Sequence, residues 1–379
     1  MNMRISTSQL YDLNNKTLAG KQASIVKISQ QVDAQQKVLV PSDDPVAAAR
    51  ALDLSQTQAL NTQFATNRNN AKSSLASVSG ALDSSTQILT KIKSDIVQAG
   101  NASFSNAERT NMASELKGNL NELLGFANTK DGLGNYVFGG FKSGTQPFNY
   151  DSMGNIVYNG DQGTQTLQVD ATRQMEVSAS GQSIFQGNGQ DTFKTVQDLI
   201  RLLAVPTTEA ANKADDEAAA HFEYPPNSGQ FPITAYKVAS DALDAAKPDD
   251  PNYAELMTRA ANAKGIADAA DIARTPIPGS QAALAHGLMK LSNALGQQMG
   301  NVESATASVG ARQKELDSLD AQGQALDQQY TETANDLLGR NPRDLTDAVS
   351  QLSLQSQYLQ AAQKVFVSTS QLSLLNNLR

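Results

Sequence analysis

The sequence predicts a mainly α protein with a small β region. Paired N- and C-terminal helices form a long antiparallel coiled-coil rod, with a β-hairpin-containing outer domain between them. Three observations carry this. Apolar residues recur at seven-residue spacing near both ends, as Leu75, Leu82, Leu89 and Ile96 and as Leu288, Leu295, Val302, Val309 and Leu316. Of 20 Phe and Tyr, 13 fall between Phe126 and Tyr236. Of 12 Pro, 8 fall between Pro206 and Pro278, so helical flanks enclose a different middle.

From the start, Leu18, Ile25, Val32 and Leu39 repeat every seven residues with Ile28 alongside, which predicts an amphipathic helix over about 1–40. Pro41-Ser42-Asp43-Asp44-Pro45 breaks it. Asp44 is suited to accept from the free amides of a new helix, and Pro45 to occupy its first position. That helix should run to about Ala99, with Val78 and Ile92 on the row beside the heptad, and Gly100 should end it. Ser105-Asn106-Ala107-Glu108 is a capping box that opens a third helix through Met112, Leu116, Leu120 and Leu123.

After Asp131-Gly132 the period changes. Tyr136-Val137-Phe138 is short, aromatic and β-branched. Phe148-Asn149-Tyr150 and Ile156-Val157-Tyr158 flank a turn at Asp151–Asn155, which predicts a hairpin. Leu167 and Val169, then Met175 and Val177, alternate with polar residues as two more strands, so the β-hairpin region spans about 136–180. A short helix is expected over 191–203. Residues 206–279 read as an inserted outer subdomain, partly helical, and 205–255 alone holds ten acids against three Lys.

From Ser280 the heptad continues to Leu337, with Leu284, Leu291, Ala305, Leu319 and Leu326 as a companion row interrupted by Gln298 and Arg312. Asn341-Pro342 ends it and should cap a last helix carrying Leu345, Val349, Leu352, Leu359 and Phe366. The ends mirror each other: terminal helices over 1–40 and 343–379, rod helices within 41–203 and 280–342. The simplest closure pairs the first helix with the last and the second with the one before last.

Ordering a residue costs about 1.5 kcal/mol, and a thin helix packed on one other buries too little apolar surface to offset that along its length. The terminal helices should therefore order when other subunits pack around them, with Ile25, Ile28, Val32, Leu39, Leu345, Val349, Leu352, Leu359 and Phe366 as the inner packing. From Gln351 to Arg379 only Lys364 and Arg379 are charged, which suits a dense interior. Pro41, Ser42, Asp43, Asp44 and Pro45 should link the inner and outer layers, or serve only as a helix cap.

The composition leans away from an enzyme. Net charge is −8, which disfavours a general nucleic-acid or anionic-membrane binder. With no Cys and only His221 and His286, thiolate sites and a multi-histidine metal centre are excluded within one chain. Asp43-Asp44 reads as a cap before a metal pair. Asp215-Asp216-Glu217 and Asp249-Asp250 read as solvated acids before a weak hard-cation site. Gly139-Gly140 has no phosphate-loop context, and neither His has a nucleophile or carboxylate partner at a recognisable spacing. Catalytic residues, cofactors and metals are therefore expected to be none. No run of 18 apolar residues exists, and the first 30 residues lack the apolar core of an ordinary secretory signal.

Several blocks resemble the flagellar hook-associated protein 3 family, the hook–filament junction branch of the bacterial flagellin family. They are Met3-Arg4-Ile5-Ser6-Thr7, then Pro41-Ser42-Asp43-Asp44-Pro45-Val46-Ala47-Ala48-Ala49-Arg50. Asp131 to Lys142, with its Gly134-Asn135-Tyr136-Val137-Phe138-Gly139-Gly140 core, is followed by Thr145-Gln146-Pro147-Phe148. Ala307-Ser308-Val309-Gly310-Ala311-Arg312 and the tail Leu372-Ser373-Leu374-Leu375 complete the set. The resemblance covers about 3–203 and 280–379.

It implies a flagellin-like fold whose terminal helices line an inner tube, with no catalysis. It also implies secretion through the flagellar export channel and a place at the hook–filament junction. The implied partners are further copies of the chain in a helical ring, hook-associated protein 1, flagellin, and an export chaperone holding the C-terminal helix. No nucleic acid or membrane is implied. The 206–279 insert departs from shorter members. A flagellin filament subunit, or a secreted coiled-coil tip or translocator protein, are the alternative readings.

Overall fold

The structure of the protein, a computed structural model, describes residues 7–101, 103–132, 134–226, 228–247 and 250–377. Met3–Ser6, Leu133, Asp249 and the side chains of Leu372–Leu375 lie outside the described residues. Among the described residues, ten helices and two small sheets follow in the order α1 (Thr7–Asp33), α2 (Pro45–Ala99), α3 (Asn106–Ala127), β1 (Phe148–Tyr150), β2 (Ile156–Tyr158), β3 (Thr166–Asp170) and β4 (Arg173–Glu176). Then come α4 (Gly181–Phe185), α5 (Thr192–Ala204), α6 (Glu209–Ala220), α7 (Pro232–Ala245), α8 (Tyr253–Ala273), α9 (Gln281–Leu338) and α10 (Pro342–Asn377). The chain divides into two compact units, 1–67 with 317–379 and 68–316, and the division falls inside α2 and α9.

In the first unit α1 packs on α10 and α2 runs beside α9, both antiparallel. The Lys21 ammonium lies 5.4 Å from the Tyr358 ring centre, while Gln36, just after α1, meets Arg340, just before α10. Gln58 Nε2 donates to Asp327 Oδ1 at 3.0 Å, and Asn61 Nδ2 to the Gly323 carbonyl at 2.8 Å.

In the second unit the heptad rows become core. Leu75, Val78, Leu82, Leu89 and Ile92 of α2 are fully buried, as are Leu116 and Leu123 of α3 and Leu295, Val302 and Leu316 of α9. The predicted capping box is present: the Ser105 side chain accepts from the Glu108 amide, and the Glu108 carboxylate accepts from the Ser105 amide. Gln298, which interrupts the α9 row, is buried and donates to Thr195 Oγ1 of α5 at 2.8 Å. A polar residue inside an apolar seam favours one register of α9 on α5 over its slipped neighbours.

The aromatic block forms a second core. Phe138, Phe148, Phe185 and Phe193 are fully buried, with ring centres 5.0–5.7 Å apart. β1 and β2 pair antiparallel, Phe148 opposite Tyr158, around a turn in which Asp151 Oδ1 accepts from the Met153 and Asn155 amides. Gly154 completes that turn at φ +82°. β3 pairs with β4, with a register shift between Gln168 and Asp170. The Arg68 guanidinium of α2 is buried against the Val169 carbonyl at 3.0 Å.

Tyr136–Phe138 does not form a strand. Its neighbourhood makes only isolated bridges, Lys130 with Tyr136 and Gly139 with Ser180, because the Tyr136 and Val137 amides go to separate partners at Ser143 and Thr129. Val177 also falls just past β4, though its amide still bonds the Gln165 carbonyl at 2.8 Å. The 206–279 stretch contains α6, α7 and α8.

Candidate assembly site

The residues named for inner packing lie in the first unit. Ile25, Ile28, Val32, Leu39, Leu345, Leu352, Leu359 and Phe366 are half-buried, whereas Val349 is 48% exposed. Leu345, Leu352, Leu359 and Phe366 are spaced by seven and form one row along α10. Leu354, Tyr358 and Val365 are exposed and, at i, i+4 and i+11, form a second row on another face of the same helix. Leu13 and Val26 of α1 are likewise exposed. Among the described residues of this unit, Ala47 is the single buried apolar residue. The terminal helices thus carry more apolar surface than their own pairing covers.

The link between α1 and α2 departs from expectation at its start. α1 ends at Asp33 rather than near residue 40, so Leu39 sits in the link and not on a helix. The backbone explains why. Gln35 takes φ 52°, its amide bonds the Val32 carbonyl, and the Gln36 amide bonds the Gln31 carbonyl. This is a Schellman closure formed by a residue other than Gly, six positions before the visible Pro41. The next two amides, of Lys37 and Val38, both donate to the Leu338 carbonyl at the end of α9, at 2.9 and 3.2 Å.

The two breaks therefore dock on each other. Gly339, at φ +61°, follows α9, and a β-carbon there would lie 2.5 Å from Lys37 Cβ. Arg340 donates to Gln36 Oε1 through Nε and Nη2, at 3.1 and 2.8 Å. The Asn341 side chain bonds Asp336 instead of capping α10, while the Asn341 carbonyl accepts from the Leu345 amide.

Asp43 and Asp44 divide the labour at the link. Asp44 Oδ1 accepts from the Val46 and Ala47 amides at 3.1 and 2.9 Å, which is the expected cap on α2. Asp43 faces back: its Oδ1 accepts from Lys27 Nζ of α1 at 2.7 Å, and its Oδ2 from the Leu39 and Val40 amides at 3.0 and 3.3 Å. Lys27 and the Leu39 amide hold the Asp43 carboxyl below the usual carboxylate range. Because the folded value is depressed, this tie is complete above the ordinary carboxylate value and is lost as pH falls through the lowered one. Pro41 and Ser42 are exposed at the bend between them.

Asp43→Ala is expected to free the Leu39 and Val40 amides. Their hydrogen exchange should quicken on the order of tenfold while the α2 cap amides stay protected. Unchanged exchange at residues 39 and 40 would show that the tie contributes nothing.

Two of the other polar candidates also have structural partners. Asp215 grips Arg274 rather than standing as one of three solvated acids. His221 closes α6, its Nδ1 2.7 Å from the Glu217 carbonyl, and His286 lies on α9. Among the described residues no group of three or more His, Asp or Glu is placed to hold a metal ion, and no helix is long and apolar enough to cross a membrane. The Asp215–Arg274 pair escaped sequence reasoning, since nothing in a separation of 59 residues marks two charges as partners.

The N-terminal helical region of bacterial flagellin matches residues 5–143. The flagellar hook-associated protein 3 of Salmonella typhimurium is 33% identical over 229 residues, 58% of this chain and 71% of that protein. Its namesake in Escherichia coli K12 is 29% identical over 372 residues, 98% of each. Among solved structures, a putative flagellar hook-associated protein from Vibrio parahaemolyticus shares the fold at TM-score 0.53 and 20% identity, over 78% of this chain and all of that one. The flagellar junction protein FlgL of Legionella pneumophila does so at TM-score 0.51 and 18% identity, over 76% of this chain and all of that one. With a relative one-third identical over most of its length, and with its N-terminal helical region matched, the chain belongs to the flagellar hook-associated protein 3 family.

Proposed function

We propose that this chain is the adaptor that joins hook-associated protein 1 to the flagellin filament, assembling as its terminal helices pack among those of neighbouring copies. As a member of its family it is a structural component of the bacterial flagellum, associated with other flagellar components, and not an enzyme. The observation that carries the adaptor reading is the largely exposed apolar row Leu354, Tyr358 and Val365, in a unit where, among the described residues, Ala47 is the one buried apolar residue. Such surface on a soluble monomer marks an interaction site. Neighbouring copies, hook-associated protein 1 on one side and flagellin on the other supply the matching helices.

The link between α1 and α2, docked through Gln36, Lys37 and Val38 on Leu338, Gly339 and Arg340, sets where α1 and α10 leave the α2–α9 pair. Before assembly, an export chaperone covers α10, whose second half carries Lys364 as its one charge. Immunogold labelling of detached flagella tests the reading. A single narrow band where hook meets filament is expected. Label along the whole filament would mean a filament subunit, and no label on flagella would overturn the assignment altogether.

A further inference from the structure

The insert is built unlike the rest of its unit. Among the described residues 208–273, its buried apolar side chains are small: Pro232 and the alanines Ala219, Ala239, Ala260, Ala267 and Ala270. Alanine buries little area, so apolar packing stabilises these three helices weakly. A buried charge pair joins the first of these helices to the end of the last. Arg274 Nη1 and Nη2 donate to Asp215 Oδ1 and Oδ2 at 2.9 and 2.8 Å, with side chains 7% and 3% exposed. The Ile277 amide adds a bond to Asp215 Oδ1 at 2.7 Å, and Arg274 Nε reaches Asp271 at 2.6 Å. One carboxylate thus ties α6 to the end of α8 and to the strand of chain beyond it.

The two ends of the insert also meet. The Thr208 amide donates to the Gly279 carbonyl at 3.0 Å, and the Gln281 amide to Asn212 Oδ1 at 2.6 Å. On the other side Thr207 is held by α3, its amide donating to Asn106 Oδ1 at 2.9 Å and its hydroxyl accepting from Arg109 Nη2 at 2.6 Å. The chain therefore leaves and rejoins α5 and α9 at one stapled point.

We propose that residues 208–279 form a separately opening module, locked by the Asp215–Arg274 pair, whose loss of structure stops at the staple and does not spread into α3, α5 and α9. A buried bidentate pair in a weakly packed core dominates local stability, because removing either partner strands the other charge. Closure at adjacent ends lets a segment open as its own cooperative unit. The outer surface that the module displays can then change without disturbing the helices beneath it.

Hydrogen exchange on the full chain at neutral pH tests this, using Arg274→Gln and Asp215→Asn, with Arg274→Lys as the variant that keeps charge and loses the fork. The first two should speed exchange of the α6, α7 and α8 amides on the order of 10²–10³-fold. The Lys variant should fall between them and the parent chain. Protection in α3, α5 and α9 should not change. Faster exchange throughout 68–316, or failure of all three variants to fold, would overturn the module. No change in α6–α8 would overturn the lock.

Discussion

Leu354→Asp is expected to abolish incorporation into flagella while leaving the isolated chain spectroscopically unchanged. Leu354 is exposed, so a carboxylate there meets water in the free chain and costs little. In an assembly whose copies cover that row, the same carboxylate would be buried without a partner, at a cost of several kcal/mol per copy. Leu352→Asp makes the contrast. Leu352 is half-buried on the row shared with Leu345 and Leu359, so its replacement should loosen α10 in the single chain and also block incorporation. Ile28→Asp on α1 should behave like Leu352→Asp. In all three variants the 68–316 unit should keep its melting temperature, because its core shares no side chain with these positions. Normal incorporation of Leu354→Asp would show that this row is not an assembly surface. Normal incorporation of Leu352→Asp as well would remove the inner-packing assignment entirely.

The contrast between those two leucines also shows what periodicity reveals. A seven-residue repeat identifies one row, and Leu345, Leu352, Leu359 and Phe366 were legible for that reason. It does not say which of two such rows faces a partner: Tyr358 and Val365, with Leu354, are also seven apart yet exposed, and Val349, named beside the first row, is turned to solvent. Breaks with a local chemical cause were readable where the residue itself supplies the cause: Asp44 before Pro45 and Ser105 before Glu108. The end of α1 was not, because Gln35 in a left-handed turn is settled by the Leu338 carbonyl that takes the next two amides, 300 residues away in sequence. The insert shows the same limit. Its ten acids suggested a solvated face, yet Asp215 is among its most buried side chains because Arg274 arrives from the far end of the segment.

The largest stability effect is expected from Phe148→Ala. Four elements distant in sequence each contribute one ring to this cluster: Phe138 from the loop after α3, Phe148 from β1, Phe185 from α4 and Phe193 from α5. Phe148 makes three ring contacts, with centres 5.7 Å from Phe185, 5.0 Å from Phe193 and 5.1 Å from Tyr158. The Phe148–Phe185 pair is edge-to-face, at 90°. The surrounding backbone is fitted to the ring: a β-carbon on Gly181 would lie 2.7 Å from Phe148 Cε2. Asn128 holds the strand in place, its Nδ2 donating to the Phe148 carbonyl at 2.9 Å and its Oδ1 accepting from the Phe148 amide at 3.0 Å.

Truncation leaves a ring-sized void that this fixed frame cannot close, so the loss should be about 3–5 kcal/mol. For a unit of this size that is roughly 6–20 °C in melting temperature. Phe148→Leu, which refills most of the void, should cost about 1–2 kcal/mol. The assembly helices of the other unit should keep their secondary structure in both variants. A melting shift below roughly 3 °C for Phe148→Ala would mean that the hairpin is peripheral. The Tyr136–Phe148 block would then owe its composition to contacts outside the chain and not to this core.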